Sequence, residues 1–343
     1  MSRVLVARLD SFGDVLLAGP AVRAIAASRE VVLLCSSRGA PAARLLPGVQ
    51  EVIVWDSPWV VTPPPAVELA DVKQIVARLG SLDEAVILTS FHQSPLPLAL
   101  LLRLAGVARI TGASVDYPGS LLDVRLRPGE NLDEDQPESE RALAIAAAAG
   151  YLLPDGDDRL LAVRRGPDVR RLVGDTAYLV VHPGADAQAR RWPVEHYVEL
   201  VRLLTRQGHR VLVTGSDSET ELTAEVAGEL GENFGGQLTL PELAGVLASA
   251  DAVVVGNTGP AHLAAAVRTP VVSLFSPVVP AVKWAPYGVP ARLLGDQNAP
   301  CKDTRARDCP IPGHPCLSGV TPQEVLAAVE DLLDQTGHGG RQQ

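Results

Sequence analysis

The sequence is short of positive charge, aromatic side chains and long apolar runs. Its 343 residues carry 30 Lys and Arg against 40 Asp and Glu, which gives a formal net charge of −10 at pH 7. Binding of nucleic acid needs a basic surface that neutralises phosphates, so this deficit argues against it. The deficit also disfavours broad attachment to an anionic membrane, although it leaves room for a local basic patch.

Segments that would carry the chain into or across a membrane are scarce as well. The longest apolar stretch runs from 96 to 108 and is interrupted by Arg103, which makes it too short to span a bilayer. Arg3 and Arg8 flank only four apolar residues near the start, too few for a signal peptide. These features predict a cytoplasmic protein with at most peripheral contact at the inner face of the membrane.

Cysteine is rare, with four residues in the chain, and this excludes a secreted disulfide scaffold. Three of the four lie late in the sequence, and together with His314 they offer the ligand types of a Cys₃His zinc site: Cys301, Cys309 and Cys316. Their spacing matches none of the compact Cys-pair patterns. Free thiols in a surface loop, and no metal, are the favoured interpretation.

What the sequence does contain is an alternation of short β-branched runs with helix-length segments. The runs lie at 4–7, 31–35, 51–55, 85–90 and 108–113, and again at 178–184, 210–216, 252–257, 271–275 and 291–295. Continuous apolar strands that alternate with helices predict parallel sheets. Because a chain of this length exceeds one core, the two sets predict two doubly wound, Rossmann-like α/β domains.

The domain boundary is expected in the stretch 162–177, which lacks clear periodicity. We therefore expect an N-terminal domain over 1–165 and a C-terminal domain over 175–335. The sequence leaves open whether the last helix packs back on the N-terminal domain.

Ligands of open parallel sheets bind beyond the carboxyl ends of the strands, so the residues after each run are the candidates. Asp14 follows the first strand at the start of a helix, where it could cap the helix or act as a general base. Pro20 is tolerated only near a first turn or a kink, so the helix is expected to restart there with Gly19 as its cap.

A second candidate follows the strand at 252–257. Asn257, Thr258 and Gly259 precede Pro260, which suits the first helical position. Free amides and a hydroxyl at a helix N-terminus form a ready anion site. His262 lies in the first turn of that helix, where it could line the site or simply be a packed residue.

Two further strand ends carry charged side chains. Arg190 and Arg191 precede a Trp-Pro helix start, and they suit a diphosphate, although paired arginines also occur on solvated faces. Asp217 and Glu219 follow the strand at 210–216. An acid there can accept the hydroxyls of a ribose, and capping by Ser216 or Ser218 is the equally good alternative.

At this point the sequence resembles the glycosyltransferase family 9 heptosyltransferases. The resemblance rests on three blocks: RLDSFGDVLLAGPAVRAI at 8–25, VVHPGADAQARRWPVEHYVELVRLL at 180–204, and LPELAGVLASADAVVVGNTGPAHLAAAVRTPVVSLFSP at 240–277. The order and spacing of the blocks match as well, whereas the middle of the N-terminal half matches only loosely.

The resemblance implies a GT-B fold, in which two Rossmann-like domains face each other across a cleft. It implies inverting, metal-independent transfer of heptose from ADP-heptose to a saccharide or glycolipid acceptor such as lipopolysaccharide core, with no cofactor. The family's general base falls on Asp14. Its donor-binding positions fall on the diphosphate-binding Arg190, on the nucleoside-binding Glu219 and on the block 257–262.

Inversion needs one carboxylate to take the acceptor proton and positive charge where the diphosphate departs, which agrees with these positions. One departure from the family is Asn257, where an Asp is frequent; a second is Arg190 in place of a frequent Lys. Two alternatives remain: a GT-B enzyme with another nucleotide sugar or epimerase-like chemistry, and a binding protein without turnover. The sequence assigns no acceptor-binding residue.

Overall fold

The computed structural model describes residues 2–337, and the chain separates into two compact units, Met1–Arg164 and Arg165–Gln343. Each unit is built on a six-stranded parallel sheet. Among the helices of residues 2–337, none has both the length and the apolar character needed to span a bilayer.

The first unit alternates strands and helices along the chain. Its strands are β1 Arg3–Ala7, β2 Glu30–Cys35, β3 Val49–Val54, β4 Glu84–Ile87, β5 Arg109–Ala113 and β6 Val124–Leu126. Its helices are α1 Phe12–Leu17, α2 Gly19–Ala26, α3 Ala40–Leu45, α4 Leu69–Leu79, α5 Leu96–Leu104 and α6 Glu138–Ala148. Most of β1 is fully buried, as expected for a central strand of a parallel sheet.

The second unit repeats this alternation. Its strands are β7 Leu179–His182, β8 Val211–Val213, β9 Glu232–Asn233, β10 Ala252–Gly256, β11 Val271–Leu274 and β12 Ala291–Leu294. Its helices are α7 Arg170–Val173, α8 Val194–Arg206, α9 Thr220–Ala227, α10 Leu240–Ser249, α11 Gly259–Ala266, α12 Ala281–Trp284, α13 Pro315–Ser318 and α14 Pro322–Thr336. Two 3₁₀ turns, Gln188–Arg190 and Asp217–Glu219, precede α8 and α9.

Both sheets have the same strand order. The first runs β3-β2-β1-β4-β5-β6 and the second β9-β8-β7-β10-β11-β12, so each follows the order 3-2-1-4-5-6 within its own unit. This is the doubly wound order of dinucleotide-binding folds. Each unit therefore has one switch point, between β1 and β4 in the first and between β7 and β10 in the second.

All ten predicted strands are present, with boundaries that differ by a few residues. The strands β6 and β9 were not predicted, because they are short edge strands of three and two residues without a buried run. A segment this short holds no apolar run that would signal a strand, whereas the longer edge strands β3 and β12 have one and were predicted.

The helix after β1 is interrupted, as the sequence predicted. Helix α1 ends at Leu17 and α2 begins at Gly19, with Ala18 between them. Pro20 is the second residue of α2, where its missing N–H breaks no helical hydrogen bond. The predicted cap was wrong in detail: Ala18 is the N-cap and Gly19 is the first helical residue.

Helix α8 shows how the second core forms. Tyr197, Leu200, Val201 and Leu204 recur at helical spacing and are buried on one face. Helix α14 packs against α8 and the strands β10 to β12 of its own unit, whereas the sequence left open a return to the N-terminal domain. Helices α8 and α14 thus pack against each other and against the sheet of the second unit.

Candidate active site

The first unit brings polar side chains together at its switch point. Arg8 follows β1 and donates from Nη2 to the hydroxyl of Ser90, which follows the neighbouring strand β4, at 2.9 Å. The amide of Gln93 donates to the carboxylate of Asp10. The crevice in which doubly wound folds bind ligands is therefore lined by hydrogen bonds between the two strand ends.

Asp14 lies in the first turn of α1, three residues after the N-cap Ser11. Its Oδ2 accepts the Ser11 hydroxyl at 2.8 Å and the Ser11 N–H at 3.3 Å. The cap is therefore Ser11 and not Asp14, whose carboxylate reaches back from the third helical position. The Asp14 side chain is 16% exposed, so part of it reaches solvent while both oxygens are held.

Arg8 holds three carboxylates that come from separate segments. Its Nη2 donates to Asp14 Oδ1 at 3.0 Å, and its Nη1 donates to Glu138 Oε2 at 3.1 Å. Its Nε lies 2.9 Å from Asp10 Oδ2 as an ion pair, although these two atoms lack the alignment of a hydrogen bond. The Arg8 side chain is 3% exposed, which makes this a buried cluster with two more negative groups than positive ones.

The charges in this cluster perturb one another. Burial raises the pKa of Asp10 to about 6, against the opposing effect of Arg8 and with a further rise from the Asp14 charge. Burial lowers the pKa of Arg8, but Asp10, Asp14 and Glu138 outweigh it and hold the pKa above its ordinary value. Arg8 therefore stays cationic, whereas Asp10 loses its proton at a higher pH than an ordinary aspartate does.

The second unit places Arg190 at its own switch point. A Cβ added at Gly256, the last residue of β10, would lie 3.0 Å from the carbonyl oxygen of Arg190, so the backbone of Arg190 packs directly on this strand end. The Arg190 Nη1 donates to the carbonyl of Asn257 at 3.4 Å. Arg191 is exposed, and its Nε donates to the Ala185 carbonyl at 2.8 Å. The two predicted arginines thus take different directions.

Both polar atoms of the Asn257 side chain form hydrogen bonds with the protein backbone. Its side-chain Nδ2 donates to the Ser276 carbonyl at 3.2 Å, and its Oδ1 accepts the Ser276 N–H at 3.3 Å. The residue is buried and ties the end of β10 to the chain that leaves β11. An Asp at this position would still accept the Ser276 N–H but could not donate to the Ser276 carbonyl, so this backbone arrangement favours the amide.

The N-terminus of α11 offers fewer amides than the sequence predicted. Thr258 is the N-cap and Gly259 the first helical residue, with Pro260 second instead of first. The Thr258 N–H already donates to the Gly256 carbonyl at 2.9 Å, and proline has no N–H. Of Thr258, Gly259 and Pro260, this leaves Gly259 as the residue whose N–H could bind an anion. His262 is the fourth residue of α11 and is buried.

Glu219 reaches from the end of β8 to the loop after β7. Its Oε2 accepts the Ser216 N–H at 2.9 Å and the Ser216 hydroxyl at 2.8 Å, so Ser216 caps the turn as the alternative interpretation had it. A Cβ at Gly184 would lie 1.9 Å from Glu219 Oε1. Burial lowers the pKa of His182, and the Glu219 charge opposes this shift. Glu219 is therefore in van der Waals contact with a loop that only glycine permits.

Of the late cysteines, Cys301 and Cys309 lie in a largely exposed loop, as predicted, and Cys316 lies in α13. All are free thiols, but Cys301 and Cys316 are buried in the second core and Cys309 packs against it. Burial raises the pKa of Cys316 to about 11, with a further rise from Cys301. His314 Nε2 lies 3.1 Å from the Ala189 carbonyl. Within residues 2–337, no three or more His, Cys, Asp or Glu side chains are grouped to hold a metal ion.

Two cations at these strand ends were not among the predicted site residues. Arg8 is the centre of the carboxylate cluster, and Lys283 is a 5% exposed residue of α12, the helix that follows β11. Both stand next to apolar residues in the sequence. The sequence signal for such a residue is a single basic side chain beside a run of apolar residues, because a charge that is buried with them needs a charged partner.

A groove of about 430 Å³ opens between the end of β3 and α4 in the first unit. Trp55 follows β3, and its ring meets the ring of Trp59 edge-to-face with centroids 5.2 Å apart. Charged side chains also line the groove: Asp56, Glu68, Asp71 and Arg78. Because parallel strands end at one edge of a sheet, the groove lies at the same edge as Asp10 and Asp14.

Comparison with known proteins identifies relatives of this chain. A family model described as glycosyltransferase family 9 (heptosyltransferase) matches residues 116–314, more than half of the chain. Lipopolysaccharide heptosyltransferase 2 of Salmonella typhimurium is 31% identical over 163 residues, which cover 45% of this chain and 46% of that protein. The chain thus spans about half the length of this relative. Lipopolysaccharide heptosyltransferase 1 of Pseudomonas aeruginosa is 27% identical over 96% of this chain and 98% of its own.

Among solved structures, the ADP-heptose lipopolysaccharide heptosyltransferase II of Escherichia coli matches with a TM-score of 0.73 at 22% identity. The match covers 98% of this chain and 100% of that one. This likeness and the two six-stranded sheets confirm the predicted GT-B fold class. The family match confirms the resemblance and covers two of the three blocks, 180–204 and 240–277, whereas the block at 8–25 lies outside it. The chain belongs to glycosyltransferase family 9, the heptosyltransferase family.

Proposed function

We propose that this protein is an inverting glycosyltransferase that moves a heptose, or a closely related sugar, from ADP-heptose to a saccharide acceptor without a metal ion. The observation that carries the proposal is chemical asymmetry between two otherwise equivalent switch points. The first holds a carboxylate cluster around Asp14, and the second holds a guanidinium and a helix N-terminus. One suits a proton acceptor and the other suits a departing diphosphate.

The donor belongs to the second unit on this proposal. Arg190 lies at the turn into α11, and Gly259 presents the first N–H of that helix. A diphosphate bound there meets one positive side chain and the positive end of a helix. Glu219, beside Gly184, is the candidate acceptor of the ribose hydroxyls. Four other residues predicted to bind the donor lie near these groups, and we expect them to support those groups without a contact of their own to the donor: Arg191, Asn257, Thr258 and His262.

The reaction then needs one proton transfer. Asp14 takes the proton of the attacking acceptor hydroxyl, whose oxygen forms the new bond to the anomeric carbon. The bond from that carbon to the diphosphate oxygen breaks, and ADP leaves with the bonding electrons. Arg190 and α11 stabilise the charge that develops on the leaving group, which is the role that other enzymes give to a metal ion.

The acceptor belongs to the first unit on this proposal, at the edge that carries Asp14. The groove beside β3 offers the ring of Trp55, which Trp59 contacts edge-to-face, and carboxylates that accept hydrogen bonds from sugar hydroxyls. The relatives described above are named for lipopolysaccharide and for ADP-heptose, which supports a sugar acceptor of that class. Such an enzyme would work in the cytoplasm, with at most peripheral contact to the membrane.

The test is a donor screen followed by product analysis. The protein is incubated with ADP-heptose, UDP-sugars or GDP-sugars and a lipopolysaccharide core acceptor, and released nucleotide and product mass are measured. We expect ADP release that depends on the acceptor and a product heavier by one heptose. Release from UDP-sugars would point to another donor, an epimerised donor to the epimerase alternative, and tight ADP-heptose binding without transfer to a binding protein.

A further inference from the structure

We propose that Arg8 is a positioning residue for the general base: it fixes the carboxylate of Asp14 and keeps it ionised within a cluster that holds a surplus of negative charge. This inference rests on the proposed function, because it gives Asp14 the role of the base. It assigns to Arg8 no contact with either substrate. Arg8 acts through Asp14, whose carboxylate it contacts from the interior of the protein.

The geometry supports a fixing role. Arg8 Nη2 holds Asp14 Oδ1 at 3.0 Å, while the Ser11 hydroxyl holds Oδ2 at 2.8 Å. The same Nη2 also donates to Ser90 Oγ at 2.9 Å, which ties the base to the end of β4. The two oxygens of Asp14 are thus anchored from opposite sides, and the planar fork of Arg8 spans partners that a point charge could not serve together.

The exposures distinguish the members of the cluster. The side chain of Glu138 is 1% exposed and that of Arg8 3%, whereas Asp10 is 10% and Asp14 16% exposed. Asp14 is therefore the carboxylate that an acceptor reaches most readily, and Arg8 supports it from the interior. A cation placed behind an acid in this way leaves the front of the acid to the substrate.

The charge balance argues that Arg8 does more than join segments. A buried pair that served stability alone would be balanced, because each uncompensated buried charge is costly. Here one guanidinium faces Asp10, Asp14 and Glu138, and Asp10 Oδ2 and Glu138 Oε1 are buried without a hydrogen-bond partner. Strained electrostatics of this kind cluster at functional sites. Without Arg8, two neighbouring carboxylates would favour the protonated, inactive form of the base.

The helices α2, α3 and α6 pack against α1 and carry further charged side chains: Arg23, Arg44, Glu138, Glu140 and Arg141, with Arg38 just before α3. Arg141 is buried, pairs with Glu134 at 3.0 Å and donates to the Thr89 carbonyl. Arg23 is paired with Asp157 through two bonds of 2.8 Å. Arg44 acts on the Cys35 thiol, whose pKa it pulls down against burial. Arg8 is the cation whose bond to Asp14 carries this proposal.

Three variants separate charge from geometry. Arg8→Gln removes the charge, so we expect the acidic limb of the kcat/KM profile to move up by about 1 to 3 pH units. Arg8→Lys keeps the charge but not the fork, so we expect the limb to stay and kcat to fall by up to about 100-fold. Glu138→Gln removes one surplus charge and keeps an acceptor for Nη1, so we expect the limb to move to lower pH and to offset Arg8→Gln in the double variant.

The matched control is Arg23→Gln, which breaks a partly buried ion pair in the same unit, with side chains 15% and 13% exposed. We expect it to lower the melting temperature without moving the acidic limb. The same shifts are measured without substrate by ¹³C NMR titration of the Asp14 carboxyl in protein labelled at aspartate, with Asp14→Asn to assign the signal. If Arg8→Gln does not fold, Glu138→Gln and Arg8→Lys carry the test.

The outcomes distinguish the two proposals. Absence of sugar transfer by the wild-type protein would overturn the proposed function, whatever the titration shows. The positioning role alone would be overturned if the wild type transfers sugar while Arg8→Gln leaves both the acidic limb and the Asp14 titration unmoved. A uniform loss of melting temperature in all Arg8 variants, equal to that of Arg23→Gln and without a pH shift, would reduce Arg8 to a structural residue.

Discussion

Gly184→Ala is a sharp perturbation of the candidate nucleoside site. The backbone of Gly184 is outside the left-handed region, so an alanine is not strained by its conformation. Its Cβ, however, would lie 1.9 Å from Glu219 Oε1 and 2.3 Å from Cδ, which forces the carboxylate to move. The move breaks the bonds of 2.9 and 2.8 Å from Ser216. Because these atoms are the flexible end of a side chain that is not buried, the carboxylate can swing aside, and losing the bonds costs about 0.5 to 1.5 kcal/mol.

The assay is calorimetric titration with ADP together with thermal unfolding. If the carboxylate holds the ribose, we expect ADP affinity to fall by about tenfold or more, since about 1.4 kcal/mol corresponds to tenfold. In a Glu219→Ala background the clash is gone, so adding Gly184→Ala should cost less than about 0.5 kcal/mol. This non-additivity identifies contact between the two residues as the cause.

Gly80→Ala is the control, because its Cβ would meet nothing closer than 3.4 Å. We expect it to leave ADP affinity unchanged and stability unchanged or slightly higher. The reasoning is refuted if Gly184→Ala binds ADP as tightly as the wild type, or if its effect is just as large when Glu219 is absent.

Three further predictions follow from the same geometry. Arg190→Ala should weaken ADP binding by about 10- to 100-fold and Arg191→Ala by less than about threefold, since only Arg190 lies beside the turn into α11; equal effects in calorimetry would contradict this. Asn257→Asp removes the donor to the Ser276 carbonyl and should lower the free energy of unfolding by about 1 to 3 kcal/mol in urea titrations; an unchanged midpoint would show that the amide is dispensable. The raised pKa of Asp10 means that the folded protein binds more protons than the unfolded chain between about pH 4 and 6, so this residue's contribution to stability is present below that window and lost as pH rises through it. The difference in unfolding free energy between Asp10→Asn and the wild type should therefore favour the variant more at pH 7 than at pH 4, by about 1 to 3 kcal/mol. The same difference at both pH values would contradict the shift.

The sequence predicted the scaffold of this protein well. Apolar runs such as 252–257 carry their own signal, because a strand buried on both faces is apolar at every position. The rule that ligands bind at strand ends then located Asp14 and Arg190. Local chemistry was less certain: Ser11, and not Asp14, caps α1, because a capping box uses both residues and the sequence does not say which of them starts the helix.

Contacts between distant segments could not be predicted from one sequence. Arg8 meets Glu138 across 130 positions and Ser90 across 82, and no periodicity relates these residues. The two bonds of Asn257 to the Ser276 backbone were equally hidden, because they join residues 19 positions apart. The edge strand β9 has too little buried surface to leave a pattern.

The role of Asp14 is tested most directly by Asp14→Asn, which keeps the size of the side chain and removes its ability to accept a proton. The measurement is the rate of sugar transfer from ADP-heptose, with donor affinity determined on the same samples. The account predicts unchanged donor affinity and a rate lower by about 100- to 10,000-fold, as expected for loss of a general base. A variant that transfers sugar at the wild-type rate would contradict it.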